Sequence, residues 1–246
     1  MNELLLWHGW GMHPAVWNDL RAELEQRHGV VAQAHALPGY DQTAAPFPYT
    51  LDTLADKMLA DVIGPVTLCG WSLGALLALH AARRHPQRVA RLILISATPC
   101  FVQKPDWPPA MPAAVLDDFI AALADDAGAA RKRFSTLSNQ GDVHARPIAH
   151  ALTKMQSATA PPSAEVLTAG LALLRDTDLR AAVTDIVPPV LLLHGRRDRL
   201  MPVAAAEWLA HALPRAQLVV LPDAAHTPFL SDPACCAAAI AAFIDG

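Results

Sequence analysis

The segment Gly70-Trp71-Ser72-Leu73-Gly74 constrains this chain more than any other. It follows a short apolar run over 66–69 and leads directly into the helix-forming Ala75-Leu76-Leu77-Ala78-Leu79-His80. A serine on a tight strand-to-helix turn is forced into a strained backbone conformation, and only glycine neighbours leave room for such a turn. The strain lifts Oγ above the sheet, and the helix N-terminus points free N–H groups at charge developing nearby. The alternative is an ordinary turn whose serine caps the helix. A strand before and a helix after favour the first reading.

The rest of the chain supplies the matching frame. Apolar runs at 4–7, 30–36, 66–69 and 92–96 read as strands separated by helix-length stretches, an alternation that argues for parallel strands with crossover helices. The pattern resumes with strands at 190–193 and 217–221 and helices at 204–212 and 233–244. Between these halves, over 101–178, the strand signal gives way to helical periodicity. This stretch opens with Pro105, Pro108, Pro109 and Pro112 and holds helical candidates at 113–125, 129–137, 147–156 and 164–174, the last two separated by Pro161-Pro162. The expectation is one α/β domain: a core from 1–100 and 179–246, and an inserted helical lid over 101–178.

A length of 246 residues suits a single core of this kind. The 17% charged content lies below the roughly 25% of an average soluble domain, which fits a well-buried interior. A net charge of −4 gives no global reason to expect a nucleic-acid or polybasic membrane binder. The first residues lack a basic stretch before Leu4-Leu5-Leu6-Trp7, and no apolar run reaches the ~18 residues of a membrane span. Cys69, Cys100, Cys235 and Cys236 show no ligand spacing, and the adjacent pair reads as small buried hydrophobes in a helix. A cytoplasmic monomer is expected, with no membrane or nucleic-acid partner.

A serine hydroxyl needs a base to take its proton and an acid to orient that base. Past the strand at 190–193 lies His194-Gly195-Arg196-Arg197-Asp198, and past the last strand lies Asp223-Ala224-Ala225-His226-Thr227-Pro228-Phe229. Both follow C-terminal strand ends, where open parallel sheets place their sites. The order Ser72, Asp198, His226 assigns nucleophile, orienting acid and general base. Asp223 is a competing carboxylate that reads as support for its own turn. Trp7-His8-Gly9-Trp10-Gly11 follows the first strand, and the backbone N–H groups of Trp10 and Leu73 are the candidate oxyanion donors. His8, His35 and His194 read as structural. No HExxH pattern, P-loop or dinucleotide motif occurs, so neither metal nor cofactor is expected.

With these parts in place the chain resembles the α/β-hydrolase superfamily along its whole length. Four segments narrow the likeness: His8-Gly9-Trp10-Gly11-Met12 with Val16-Trp17; Gly70-Trp71-Ser72-Leu73-Gly74; Ser96-Ala97-Thr98-Pro99-Cys100-Phe101 followed by Trp107-Pro108; and Ala224-Ala225-His226-Thr227-Pro228-Phe229. They are similar to the pimeloyl-[acyl-carrier protein] methyl ester esterases of biotin synthesis. The resemblance implies hydrolysis of a methyl ester that masks the distal carboxyl of a carrier-bound pimeloyl chain. It also implies a substrate channel lined by an aromatic lid residue, matched by Phe134 alongside Trp10. Relatives usually have further strands upstream, so one sheet edge is expected to be shorter here.

An acyl-carrier protein is acidic, and residues 128–160 carry Arg131, Lys132, Arg133, Arg146 and Lys154 against Asp142, a local charge of +4. Arg131, Arg133, Arg146 and Lys154 form the expected docking patch. By position the family's basic residues match Arg133 and Arg146, while a further pair falls on Ala129 and His150. A solvated helix face explains the same count. Fold and triad alone do not fix a substrate, which leaves open a small-ester carboxylesterase, a carbon–carbon bond hydrolase, or a non-catalytic protein that kept the fold.

Overall fold

The computed structural model describes residues 2–246. Among these residues six strands form one sheet in the order β2-β1-β3-β4-β5-β6: β1 (Leu4–Trp7), β2 (Ala32–His35), β3 (Val66–Trp71), β4 (Val89–Ile95), β5 (Val190–Gly195) and β6 (Ala216–Leu221). Every pairing is parallel. The residues of β1, β3 and β5 are buried throughout, as continuous apolar runs covered on both faces should be. From β1 the chain crosses outward to β2 and then returns to place β3 on the other side of β1. The loops that leave β1 and β3 therefore diverge, opening the crevice where sheets of this kind bind ligands.

Core helices are α1 (Asn18–His28), α2 (Leu51–Leu59), α3 (Leu73–Arg84), α8 (Val203–Ala212), α9 (Pro228–Ser231) and α10 (Pro233–Asp245). Helices α1 and α10 pack together on one face of the sheet, and α2 packs on α3. Local chemistry sets several ends. Thr50 and Thr53 form a reciprocal capping box on α2, and Asp232 caps α10 ahead of Pro233.

Between β4 and β5 lie α4 (Ala113–Asp125), α5 (Ala127–Ser138), α6 (Ala145–Ala158) and α7 (Ala164–Asp176). Pro161 and Pro162 separate α6 from α7, whose first turn is capped by Ser163. The segments leaving and rejoining the core are tied to each other. Leu179 N–H donates to the Pro99 carbonyl (2.8 Å), and Asp178 accepts from both Lys104 and Arg180. Among the described residues no helix is long and apolar enough to cross a membrane.

The structure departs from the sequence expectations at element ends. The run 30–36 yields only Ala32–His35, because its ladder partner β1 offers four residues. Strand β3 extends beyond 69, since Gly70 and Trp71 still pair with Leu94 and Ile95. Of the two adjacent cysteines only Cys236 is buried; Cys235 is exposed. Successive helix positions point about 100° apart, so neighbours seldom share the buried stripe.

Candidate active site

Ser72 sits between β3 and α3 with φ 56° and ψ −119°, a left-handed conformation that a side chain rarely adopts. The flanking glycines are there because nothing larger fits. A Cβ at Gly70 would lie 2.2 Å from the Gly74 carbonyl oxygen, and one at Gly74 would lie 2.3 Å from the Trp7 carbonyl oxygen. The turn thus presses α3 onto β1 and β3.

Ser72 Oγ lies 2.9 Å from Nε2 of His226, and His226 Nδ1 lies 2.7 Å from Oδ2 of Asp198. All three residues are buried. The other carboxylate oxygen, Oδ1, accepts the N–H groups of Leu200 and Met201, each at 2.9 Å. Burial would raise the Asp198 carboxyl, but the facing His226, the nearby His194 and the Met201 N–H outweigh it and hold the group below the ordinary carboxylate range. An ionised Asp198 fixes the imidazole with its proton on Nδ1, leaving Nε2 to accept from the serine. Trp71 Nε1 donates to the His226 carbonyl at 2.8 Å, which ties the histidine loop to the residue before the serine. Asp223 instead forms an exposed ion pair with Arg197.

The loop after β1 passes directly beside the serine: a Cβ on Gly9 would lie 3.1 Å from Cβ of Ser72. Among the described residues neither the Trp10 nor the Leu73 backbone N–H has a hydrogen-bond partner, while the nearby Gly11 and Ser72 N–H groups donate to the Tyr40 hydroxyl and the Ile95 carbonyl. His8 Nδ1–H donates to the Gly9 carbonyl and its Nε2 accepts the Leu37 N–H, so both ring nitrogens are occupied. Burial pushes this imidazole down to about 4, and it stays neutral. His194 is likewise buried, and its Nε2 meets the Met201 carbonyl. The Trp10 ring is fixed by a 2.8 Å bond from Nε1 to the Leu167 carbonyl and by edge contacts with Phe119 and Phe134. Phe134 is therefore buried in an aromatic cluster, beside an apolar cavity lined by Phe101, Leu116, Phe119, Leu137 and Leu200 with Arg133 at its side.

Arg131 requires a correction. It does not lie on the expected docking surface: it is buried (5% exposed) and points inward, donating from Nε and Nη2 to the Gly11 carbonyl at 3.1 and 3.0 Å. Helical periodicity explains this: Arg131 lies three positions before Phe134 and shares its inward face. Arg133, Arg146 and Lys154 are exposed. Asp142, the one acid counted against them, is buried, and its Oδ2 accepts the Ala225 N–H at 2.8 Å.

Sequence reasoning missed the residues that brace the site from elsewhere in the chain. The Ser138 carbonyl accepts the His226 N–H at 3.1 Å, and Thr227 Oγ1 donates to Asn139. Gln156 reaches the Gly11 carbonyl at 3.4 Å, and the Tyr40 hydroxyl accepts the Gly11 N–H at 3.2 Å. None has a motif, because each acts only through contacts distant in sequence.

Comparison with known proteins agrees with this geometry. A model of the alpha/beta hydrolase family matches residues 4–239. The chain belongs to the α/β hydrolase family. Among curated α/β hydrolases it is 43% identical to the pimeloyl-[acyl-carrier protein] methyl ester esterase of Aromatoleum aromaticum, over 99% of this chain and 98% of that one. It is 38% identical to the protein of the same name from Nitrosomonas europaea, over 94% of this chain and 91% of the other. An esterase structure from Exiguobacterium antarcticum superposes with a TM-score of 0.85 at 21% identity, covering 100% of this chain and 94% of that one, and shows the α/β-hydrolase fold alone.

Proposed function

We propose that the chain is a serine carboxylesterase that hydrolyses the methyl ester of a pimeloyl group carried on acyl-carrier protein. The observation that carries this reading is the hydrogen-bonded series Ser72–His226–Asp198 beside two unpartnered amides, in a chain 43% identical to an esterase of that name.

In this reading His226 Nε2 takes the Ser72 proton as Oγ attacks the ester carbonyl carbon. The Trp10 and Leu73 N–H groups receive the oxyanion of the tetrahedral intermediate, whose charge such preorganised donors stabilise. On collapse, His226 protonates the departing methoxide, which leaves as methanol, and the acyl group remains on Ser72. Water, deprotonated by the same histidine, attacks the acyl-enzyme and releases the free carboxylate.

Residues 101–178 serve as the lid over this centre. The side chains around Phe134 are apolar, in keeping with a methylene chain, and the exposed Arg133, Arg146 and Lys154 offer positive charge to an acidic carrier. Arg131 has no part in that patch. Two tests apply: Ser72→Ala should abolish turnover, and the wild-type gene should restore growth of a biotin-requiring strain that lacks its methyl esterase. Failure of complementation with small-ester activity intact would leave an esterase of other specificity.

A further inference from the structure

The Trp10 amide lies between Gly9 and Gly11, and Gly11 adopts φ +68°. Glycines on both sides leave this stretch few intrinsic restraints, so its orientation has to be imposed by neighbours. From within the loop, Gly9 accepts from Met12 N–H and His8. From outside, the Gly11 N–H reaches Tyr40, and the Gly11 carbonyl takes two N–H groups from Arg131 and a longer one, at 3.4 Å, from Gln156.

Arg131 is an odd choice for a purely structural role. Among the described residues it has no carboxylate within salt-bridge distance: Nε and Nη2 are turned inward onto one neutral carbonyl, and only the edge of the guanidinium opens onto a surface cleft shared with Lys132 and Pro161. Taking even part of an unpaired guanidinium out of water is costly, and apolar replacements of similar volume at such sites are often neutral or stabilising. What an apolar residue could not do is orient that carbonyl with a planar fork. The same helix, α5, ends at Ser138 and Asn139, which hold the backbone of His226 and the hydroxyl of Thr227.

We infer that Arg131 is a positioning residue of the oxyanion hole: its grip on the Gly11 carbonyl holds the Trp10 amide in line with that of Leu73, and α5 keeps this loop in register with the His226 loop. The inference rests on the proposed roles of Trp10 and Leu73. It concerns how the hole is held, not which ester enters.

The test compares Arg131→Met and Arg131→Lys with wild type, using the acylation burst with p-nitrophenyl acetate, normalised to sites titrated by a fluorophosphonate. Affinity for a trifluoromethyl ketone, whose adduct carries an oxyanion, is measured alongside. Arg131→Met should slow acylation per titrated site by about 10- to 100-fold, since a displacement near 1 Å can cost that much, and should weaken ketone binding in parallel with KM little changed. Arg131→Lys, which retains the cation but loses the fork, should fall between the two. A merely structural role would lower the titratable fraction and leave acylation per site and ketone affinity within about twofold of wild type; that result overturns the inference. If Arg131→Met does not fold, Arg131→Lys decides on the same two readouts. Should the fluorophosphonate fail to label wild type, or Ser72→Ala keep wild-type hydrolysis, the serine-esterase reading falls first and takes this inference with it.

Discussion

His226 Nδ1 and Asp198 Oδ2 stand 2.7 Å apart, with both side chains fully buried. Because Asp198 Oδ1 already serves Leu200 and Met201, an asparagine could keep those two backbone bonds while presenting an amide N–H to the imidazole. The histidine would then hold its proton on the wrong nitrogen. Asp198→Asn should lower kcat by about 10³- to 10⁴-fold with the thermal melt little changed, as steady-state assays and circular dichroism would show. A loss below tenfold would remove Asp198 from its assigned role.

His8 gives a pH signature separate from catalysis. Its folded pKa of about 4 lies below the unfolded value of 6.5, so the unfolded chain takes up a proton that the folded chain refuses. Stability is therefore lost as pH falls from about 6.5 to about 4, by up to about 3 kcal/mol from this group. Urea unfolding across that window should show a steep decline in wild type and a shallower one in His8→Asn. Equal slopes would mean that His8 does not stay neutral in the fold.

Much of this was legible in the sequence because it is written locally. Ser72 announces itself through Gly70 and Gly74, whose missing side chains are needed within a few residues of the serine. His226 and Asp198 follow strand ends, and helix α4 begins and ends where the periodicity says it should. The bracing was not legible. Arg131 reads as one more cation in a basic run, and only packing α5 against the loop after β1 turns it inward. Asp142 and Asn139 meet Ala225 and Thr227 across more than 80 residues, a pairing that no local pattern encodes.

Gly170 on α7 tests how tightly the Trp10 ring is held. A Cβ there would lie 2.8 Å from Trp10 Cδ1, a rigid ring atom, and 3.4 Å from Leu73 Cδ2. Alanine gains about 1 kcal/mol in helix propensity, but overpacking of this kind costs ~1–3 kcal/mol. Gly170→Ala should therefore lower Tm and reduce activity together. An unchanged or raised Tm with full activity would show that Trp10 moves freely.

The exposed cations make a prediction about selectivity. Reversing charge at Arg133 and Arg146 should lower the ratio of kcat/KM for a carrier-bound ester to that for a small ester at least tenfold, with the effect shrinking as salt is raised. A ratio unchanged at low salt would place carrier docking elsewhere.

The most direct measurement is mass spectrometry of acyl-carrier protein loaded with the methyl ester of pimelate and incubated with the purified chain. Wild type should convert it to the carrier-bound free acid with the thioester intact, and Ser72→Ala should not convert it. Cleavage of the thioester, no reaction by wild type, or equal conversion by Ser72→Ala would contradict the proposed function.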